Sequence, residues 1–190
     1  MSEVDHTRFP FFHRPTLLRR ISTREYLSEK AFFAATMSIC ALASARARDG
    51  ALYLSKWNQD YFREPASEDF LAAAIAALPS DWSTMKELDW MRTCAVLALL
   101  GIQVGNISMM HQYLGMYHSL MAMNGLHDEK NWPEVGMVEA EERRRLVSMA
   151  PRPVPATDFL VLEYLYPRSL LIRTSYSIHY YFFNYSLLCC

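Results

Sequence analysis

The chain is poor in the residues from which phosphate loops, metal sites and secreted disulfide frameworks are built. Six glycines in 190 residues form no glycine-rich phosphate loop, and neither a G-x-S-x-G elbow nor an H-E-x-x-H motif occurs. The four cysteines, Cys40, Cys94, Cys189 and Cys190, have no zinc-finger spacing. Cys40 and Cys94 sit in apolar runs, where a free thiol behaves as a small core hydrophobe. No charged-then-apolar leader with a cleavage site opens the sequence, so a reducing intracellular compartment is expected. An excess of charge is missing too, since 19 basic and 20 acidic residues give a net charge of −1. Such a chain has no global attraction to a phosphate backbone, and any nucleic-acid contact would need a local patch or another module.

What the chain does have is hydrophobic mass. Residues of that class make up 52% of the sequence, enough for a real core in one domain with room for a tail. No strand-like alternation appears before residue 150, and helical spacing dominates instead. Ser22-x-x-Glu25 has the form of a capping box with Ile21 and Tyr26 at the staple positions, predicting a helix start near Thr23. The run after it is apolar nearly all round. It carries a Phe33, Met37, Cys40 stripe, with Arg46 and Arg48 in the last turn and Gly50 at the cap.

Ser67 is the expected cap of the next helix, with Phe70, Leu71, Ala74, Ile75 and Leu78 on one face and Pro79 as the stop. Helices are then predicted from about Thr84 to Val104 and through "ISMMHQYLGMYHSLMAM". Gly105-Asn106 lies between them, Met110, Leu114, Tyr117 and Met121 share a face, and Asn124-Gly125 forms a C-terminal cap. The pair reads as an αα-hairpin. Gly101-x-x-x-Gly105 has the spacing of close helix contact in membranes, but its apolar run is too short to span a bilayer and includes Gln103.

Few groups point to chemistry. His111 and His118 lie two turns apart, too far for one metal without further ligands, and read as partly buried residues at a helix seam. His127, Asp128 and Glu129 read as loop chemistry after a helix end. The methionines concentrated at 109–123 and 137–149 read as seam filler, ahead of a plastic ligand surface.

Three motifs, in order, resemble one family. "FPFFHRPTLLRR" at 9–20, with His13, Arg14 and Pro15, looks like the opening of the fungal transcription-factor regulatory domain, also called the middle homology region. Residues 94–132 resemble its central hairpin, ending in Gly125, Leu126, His127 and an acid. "EAEERRRL" at 139–146 resembles its best-known signature, here Glu139, Glu142, Arg143, Arg144, Arg145 and Leu146. The resemblance implies an all-α, multi-helix regulatory domain, partial, over 9–146 and preceded by a segment 1–8. It implies a place in the nucleus and transcriptional regulation, as of a metabolic or secondary-metabolite pathway. It also implies a dimer with related regulators or contact with transcription machinery, with no enzyme activity and no membrane. Members usually carry an N-terminal six-cysteine cluster holding two zinc ions, whose helix reads the major groove. Nothing here matches that cluster, so no cofactor and no specific DNA binding are expected of these residues alone. The alternative is a free-standing helical interaction module that interferes with a full-length relative.

The three arginines are read physically as a helix segment. Glu139 can pair with Arg143 and Glu141 with Arg145 at i,i+4, and Glu142 with Arg145 at i,i+3. At roughly 0.2–0.5 kcal/mol each, these give about 1 kcal/mol of local support, and the acids cancel most of the potential a phosphate patch or import signal would need. After Leu146 the family continues with an aromatic pair and further helices, whereas this chain turns to prolines at 151, 153 and 155 and then to tyrosine, phenylalanine and leucine. Residues 147–190 are therefore expected to be a non-homologous, unstructured tail, as a retained intron or shifted reading frame would produce. "TSYSIHYYFFNYSLLCC" is uncharged and borderline in length for an anchor, and a poorly folded, aggregation-prone end is the favoured reading.

Overall fold

Pro15 sits in the first turn of helix α1 (Arg14–Ser22), where the N–H it lacks would have had no partner. The computed structural model describes residues 11–49 and 65–148. Gly50, the opening Phe9-Pro10 and the expected tail beyond Ser148 lie outside those residues. The expected capping box does not form. Ser22 is the last residue of α1, and its hydroxyl donates to the Arg19 carbonyl at 2.7 Å. Glu25 turns instead to Arg19 and Arg20 at 2.9 and 2.8 Å, so charged partners outweigh a local cap. Arg24 takes left-handed backbone (φ 58°), and a 3-10 turn at Glu25–Leu27 leads into α2 (Lys30–Arg48).

Helix α2 is buried on most of its circumference, as expected, but its deepest face differs from the predicted stripe. Ala31, Ala34, Ala35, Ala41 and Ala45 go inside with Phe32 and Leu42, while Phe33 and Met37 flank the core partly buried and Cys40 is half-buried. Small side chains let α3 (Ser67–Ala77) and α4 (Leu88–Gln103) pack on it closely. Ser67 is the first residue of α3 rather than its cap. Its hydroxyl crosses to the Ala41 carbonyl at 2.8 Å, and Asp69 accepts from the Ala66 N–H. Ala74 is buried with Phe70, Leu71 and Leu78 beside it, but Ile75 faces out, 43% exposed.

Asp81 caps a 3-10 turn at Trp82–Thr84, so α4 starts at Leu88, four residues later than the spacing suggested. Helix α5 (Ile107–Met123) returns along α4, with the Asn106 side chain accepting from the Met109 N–H at 3.0 Å. Gly105 has φ +70° and ends α4, as the left-handed cap requires. Gly101 makes the hairpin possible, because a Cβ there would stand 2.7 Å from the Met110 nitrogen. Of the two glycines in the Gly-x-x-x-Gly spacing, Gly101 thus marks backbone contact inside a hairpin, while Gly105 only ends the helix. Among the described residues no helix is long and apolar enough to cross a membrane. Met110, Tyr117 and Met121 are buried and Leu114 half-buried on the predicted face of α5. A 3-10 turn at Glu129–Asn131 precedes α6 (Met137–Ser148). The described residues form six α-helices and no strand, the all-α architecture expected.

Candidate functional site

Asp89 and Arg92 are the only charges on α4, and both are buried, 6% and 5% exposed. One turn of helix brings Arg92 Nη1 to 2.6 Å from Asp89 Oδ1. The guanidinium then makes three contacts with other parts of the chain. Its Nε donates to the Phe11 carbonyl at 2.8 Å, its plane lies 5.0 Å from the Phe12 ring centroid, and Nη2 stands 2.9 Å from Glu142 Oε2 on α6. This last contact is ionic and not an aligned hydrogen bond, as Nη2 has no partner of hydrogen-bond geometry. The other Glu142 oxygen accepts from the His13 backbone N–H at 2.6 Å. A single carboxylate therefore joins the segment before α1, the core helix α4 and the signature helix α6.

Asp89 extends the cluster in the other direction. Its second oxygen accepts from Arg20 Nη1 at 2.8 Å. Arg20 also donates to Glu25 at 2.8 Å and Glu29 at 2.6 Å, and covers the Phe32 ring at 3.7 Å. Burial pulls the Arg20 guanidinium down, but the Asp89 charge and the hydrogen bonds to Glu25, Asp89 and Glu29 hold it above its ordinary value. The hydrogen bond from Arg20 holds Glu25 below the usual carboxylate range. Each carboxylate here is taken up by a cation or a backbone N–H. The cluster is thus equipped to fix three chain segments relative to one another.

The residues singled out from sequence fall in three places. His13 lies at the cluster, its N–H on Glu142 and its Nδ1 2.8 Å from the Thr16 hydroxyl, whereas Arg14 and Pro15 point to solvent. Gly125 (φ +62°) closes α5, letting the Leu126 N–H reach the Met121 carbonyl at 3.1 Å and burying Leu126, with His127 left exposed. On α6, Glu139 and Arg143 pair at 2.7 Å and Glu141 and Arg145 at 3.0 Å, as i,i+4 spacing suggested. Arg143 also lies 5.8 Å from the centroid of Trp132, whose indole N–H donates to the Leu126 carbonyl. Arg144 reaches back to Glu129 at 3.0 Å. Glu142 does not turn to Arg145, because Arg92 and the His13 N–H claim both of its oxygens. Leu146 is fully buried, and its carbonyl accepts from the Tyr117 hydroxyl.

Arg20, Asp89 and Arg92 escaped the sequence reading. The signal was present, as two opposite charges three residues apart inside an otherwise apolar helix can be buried only as a pair. Elsewhere, His111 is exposed, and His118 lies half-buried and edge-on to Tyr117, with burial pushing its pKa down. The two described cysteines do not fit a zinc cluster. Cys40 and Cys94 lie in the core helices α2 and α4, where burial pushes both thiols up, Cys94 to about 12. Among the described residues no group of three or more His, Cys, Asp or Glu side chains could hold a metal ion.

The chain has no match among curated proteins or among solved structures. The family model described as fungal specific transcription factor domain matches residues 3–150, a span that holds all six helices and every member of the Arg92 cluster. The chain belongs to that family.

Proposed function

We propose that these residues serve a transcriptional regulator as its regulatory part and not as its DNA reader, in the nucleus and without catalysis. The commitment of the signature arginines carries this reading. Arg143, Arg144 and Arg145 each face a carboxylate of the same domain, at 2.7, 3.0 and 3.0 Å, which leaves little potential for a phosphate backbone. The output is control of transcription, as of a metabolic or secondary-metabolite pathway, through contact with a related regulator or with transcription machinery. Leu18 and Leu27, 56% and 72% exposed at the α1 end, offer apolar surface for such a contact. No cofactor is needed for this role.

A reporter assay tests the reading. Residues 1–190 are fused to an unrelated DNA-binding module, and transcription from its site is compared with that from the module alone. The expected result is a change in output that Glu142→Ala weakens. Output equal to that of the bare module would overturn the proposal.

A further inference from the structure

Arg19-Arg20-Ile21-Ser22 places two arginines three and two residues before a serine, the pattern that arginine-directed protein kinases read with carboxylates in their substrate groove. Its setting in the fold suits modification. Ser22 ends α1 and is exposed, and its hydroxyl donates to the Arg19 carbonyl at 2.7 Å. The helix it ends has nine residues, none of them buried. The chain then turns through Arg24 in left-handed backbone, which no helix could continue. The last turn of α1 can therefore open toward a kinase with no buried residue of α1 to extract, at the cost of the Arg20 contacts to Asp89 and Phe32. The Arg19 side chain is 61% exposed already, while Arg20 must leave Glu25, Glu29 and the buried Asp89.

Two other serine or threonine hydroxyls have an arginine three positions before them. Thr23 follows Arg20 but has Ile21, not an arginine, two positions before it. Ser148 follows Arg145, with Leu146 between them fully buried and anchoring that end of α6. Ser22 alone of the three combines both arginines with a helix end that carries no buried residue.

We propose that Ser22 is a phosphorylation site for an arginine-directed, ATP-dependent protein kinase, and that its phosphate draws Arg19 and Arg20 away from Glu25. In the transfer, Ser22 Oγ bonds the γ-phosphorus of ATP, the bond from that phosphorus to the β–γ bridging oxygen breaks, and ADP leaves. The hydroxyl proton passes to the kinase's catalytic base and then to solvent. The product carries roughly two negative charges at a helix C-terminus, where the dipole disfavours them and a nearby guanidinium is the natural partner. Arg19 Nη1 and Arg20 Nε now hold Glu25, at 2.9 and 2.8 Å. Arg20 also holds Asp89, so a change at Ser22 is felt by the cluster that fixes α6.

The test uses the folded 190-residue chain, ATP and the catalytic subunit of cyclic-AMP-dependent protein kinase as probe. Mass spectrometry should place stoichiometric phosphate on Ser22. Incorporation should be lost in Ser22→Ala and kept in Thr23→Ala, both with wild-type circular dichroism. Hydrogen exchange of the phosphorylated chain should show lost protection over residues 25–29. Phosphate on Thr23 or Ser148 alone, incorporation only after heat denaturation, or unchanged incorporation in Ser22→Ala overturns the site. Unchanged protection over 25–29 overturns the competition with Glu25.

Discussion

Glu142 of α6 and Arg92 of α4 meet at 2.9 Å with side chains only 13% and 6% exposed. Fifty residues separate them in sequence, and Glu142 spans a further stretch of 129 residues to the His13 N–H. Leu146 is the one buried residue of α6. The seat of α6 thus combines one buried leucine, the Tyr117 bond to its carbonyl and the charges around Arg92 with the outer contacts of Arg143 to Trp132 and Arg144 to Glu129.

Removing the Glu142 carboxylate should therefore be costly. Glu142→Ala leaves Arg92 buried with Asp89 as its remaining carboxylate and strips the His13 N–H of its acceptor. A loss of roughly 3 kcal/mol is expected, the low end for breaking a buried pair, since Asp89 stays. Urea unfolding followed by circular dichroism measures it. A midpoint within error of wild type would mean that the Glu142–Arg92 contact adds nothing to the fold.

Two glycines of the same hairpin should respond oppositely to alanine. A Cβ at Gly101 meets the backbone of Met110 at 2.7 and 3.0 Å, so α4 and α5 would have to part. Gly101→Ala should destabilise by about 2 kcal/mol. Gly115 has nothing within 4 Å of its would-be Cβ and lies inside α5, so Gly115→Ala should stabilise by up to about 1 kcal/mol through helix propensity. Melting temperatures of the two variants check the pair, and equal shifts would contradict the packing described for Gly101.

The contrast between Glu139 and Glu142 shows how far the sequence could be read. Glu139 finds its partner four residues on, within reach of helical periodicity. Glu142 has an equally good local partner in Arg145, yet goes to Arg92, because only the tertiary fold brings that buried cation alongside. Ser22 and Glu25 repeat the lesson. Their spacing is that of a capping box, but Arg19 and Arg20 offer Glu25 a stronger partner than a backbone N–H. Helix content, the α4–α5 hairpin and the glycine caps were legible because they depend on neighbours in sequence. The Arg92 cluster was not, because each of its links except Asp89–Arg92 joins different elements.

Alkaline pH should weaken the fold from inside α4 and α5. A solvated cysteine loses its proton near pH 9.0, whereas burial pushes Cys94 up to about 12. Burial raises the Tyr117 and Tyr113 hydroxyls as well, with the nearby Cys94 adding to the shift at Tyr113. A group with a raised folded pKa stabilises fully below its unfolded pKa, and that contribution is lost as pH climbs through the folded value. Stability should hold between pH 7 and the onset of thiol ionisation, then fall toward pH 12 by up to about 1.4 kcal/mol per pH unit for each such group. Cys94→Ala should flatten the first part of the decline. Urea midpoints across this range test it, and a midpoint that rises with pH would refute the assignment.

The three arginines of the signature should differ from one another, and none should act on DNA. Arg143 has Glu139 at 2.7 Å, the Trp132 ring beneath it and a side chain 15% exposed. Arg143→Gln should cost about 1 kcal/mol. Arg145, half exposed and paired with Glu141 on its own helix, should cost about 0.3 kcal/mol on the same change, and Arg144→Gln less than Arg143→Gln. A phosphate-binding patch predicts another pattern, in which all three contribute alike, binding to random duplex weakens with salt, and stability is untouched. With a net charge of −1 and every signature arginine facing a carboxylate, the chain should bind random duplex negligibly at low and high salt alike. Unfolding midpoints of the three single variants, together with duplex binding by wild type at two salt concentrations, separate the two patterns. Salt-sensitive micromolar binding that disappears when the three are neutralised, with the midpoint unmoved, would make "EAEERRRL" a nucleic-acid surface after all.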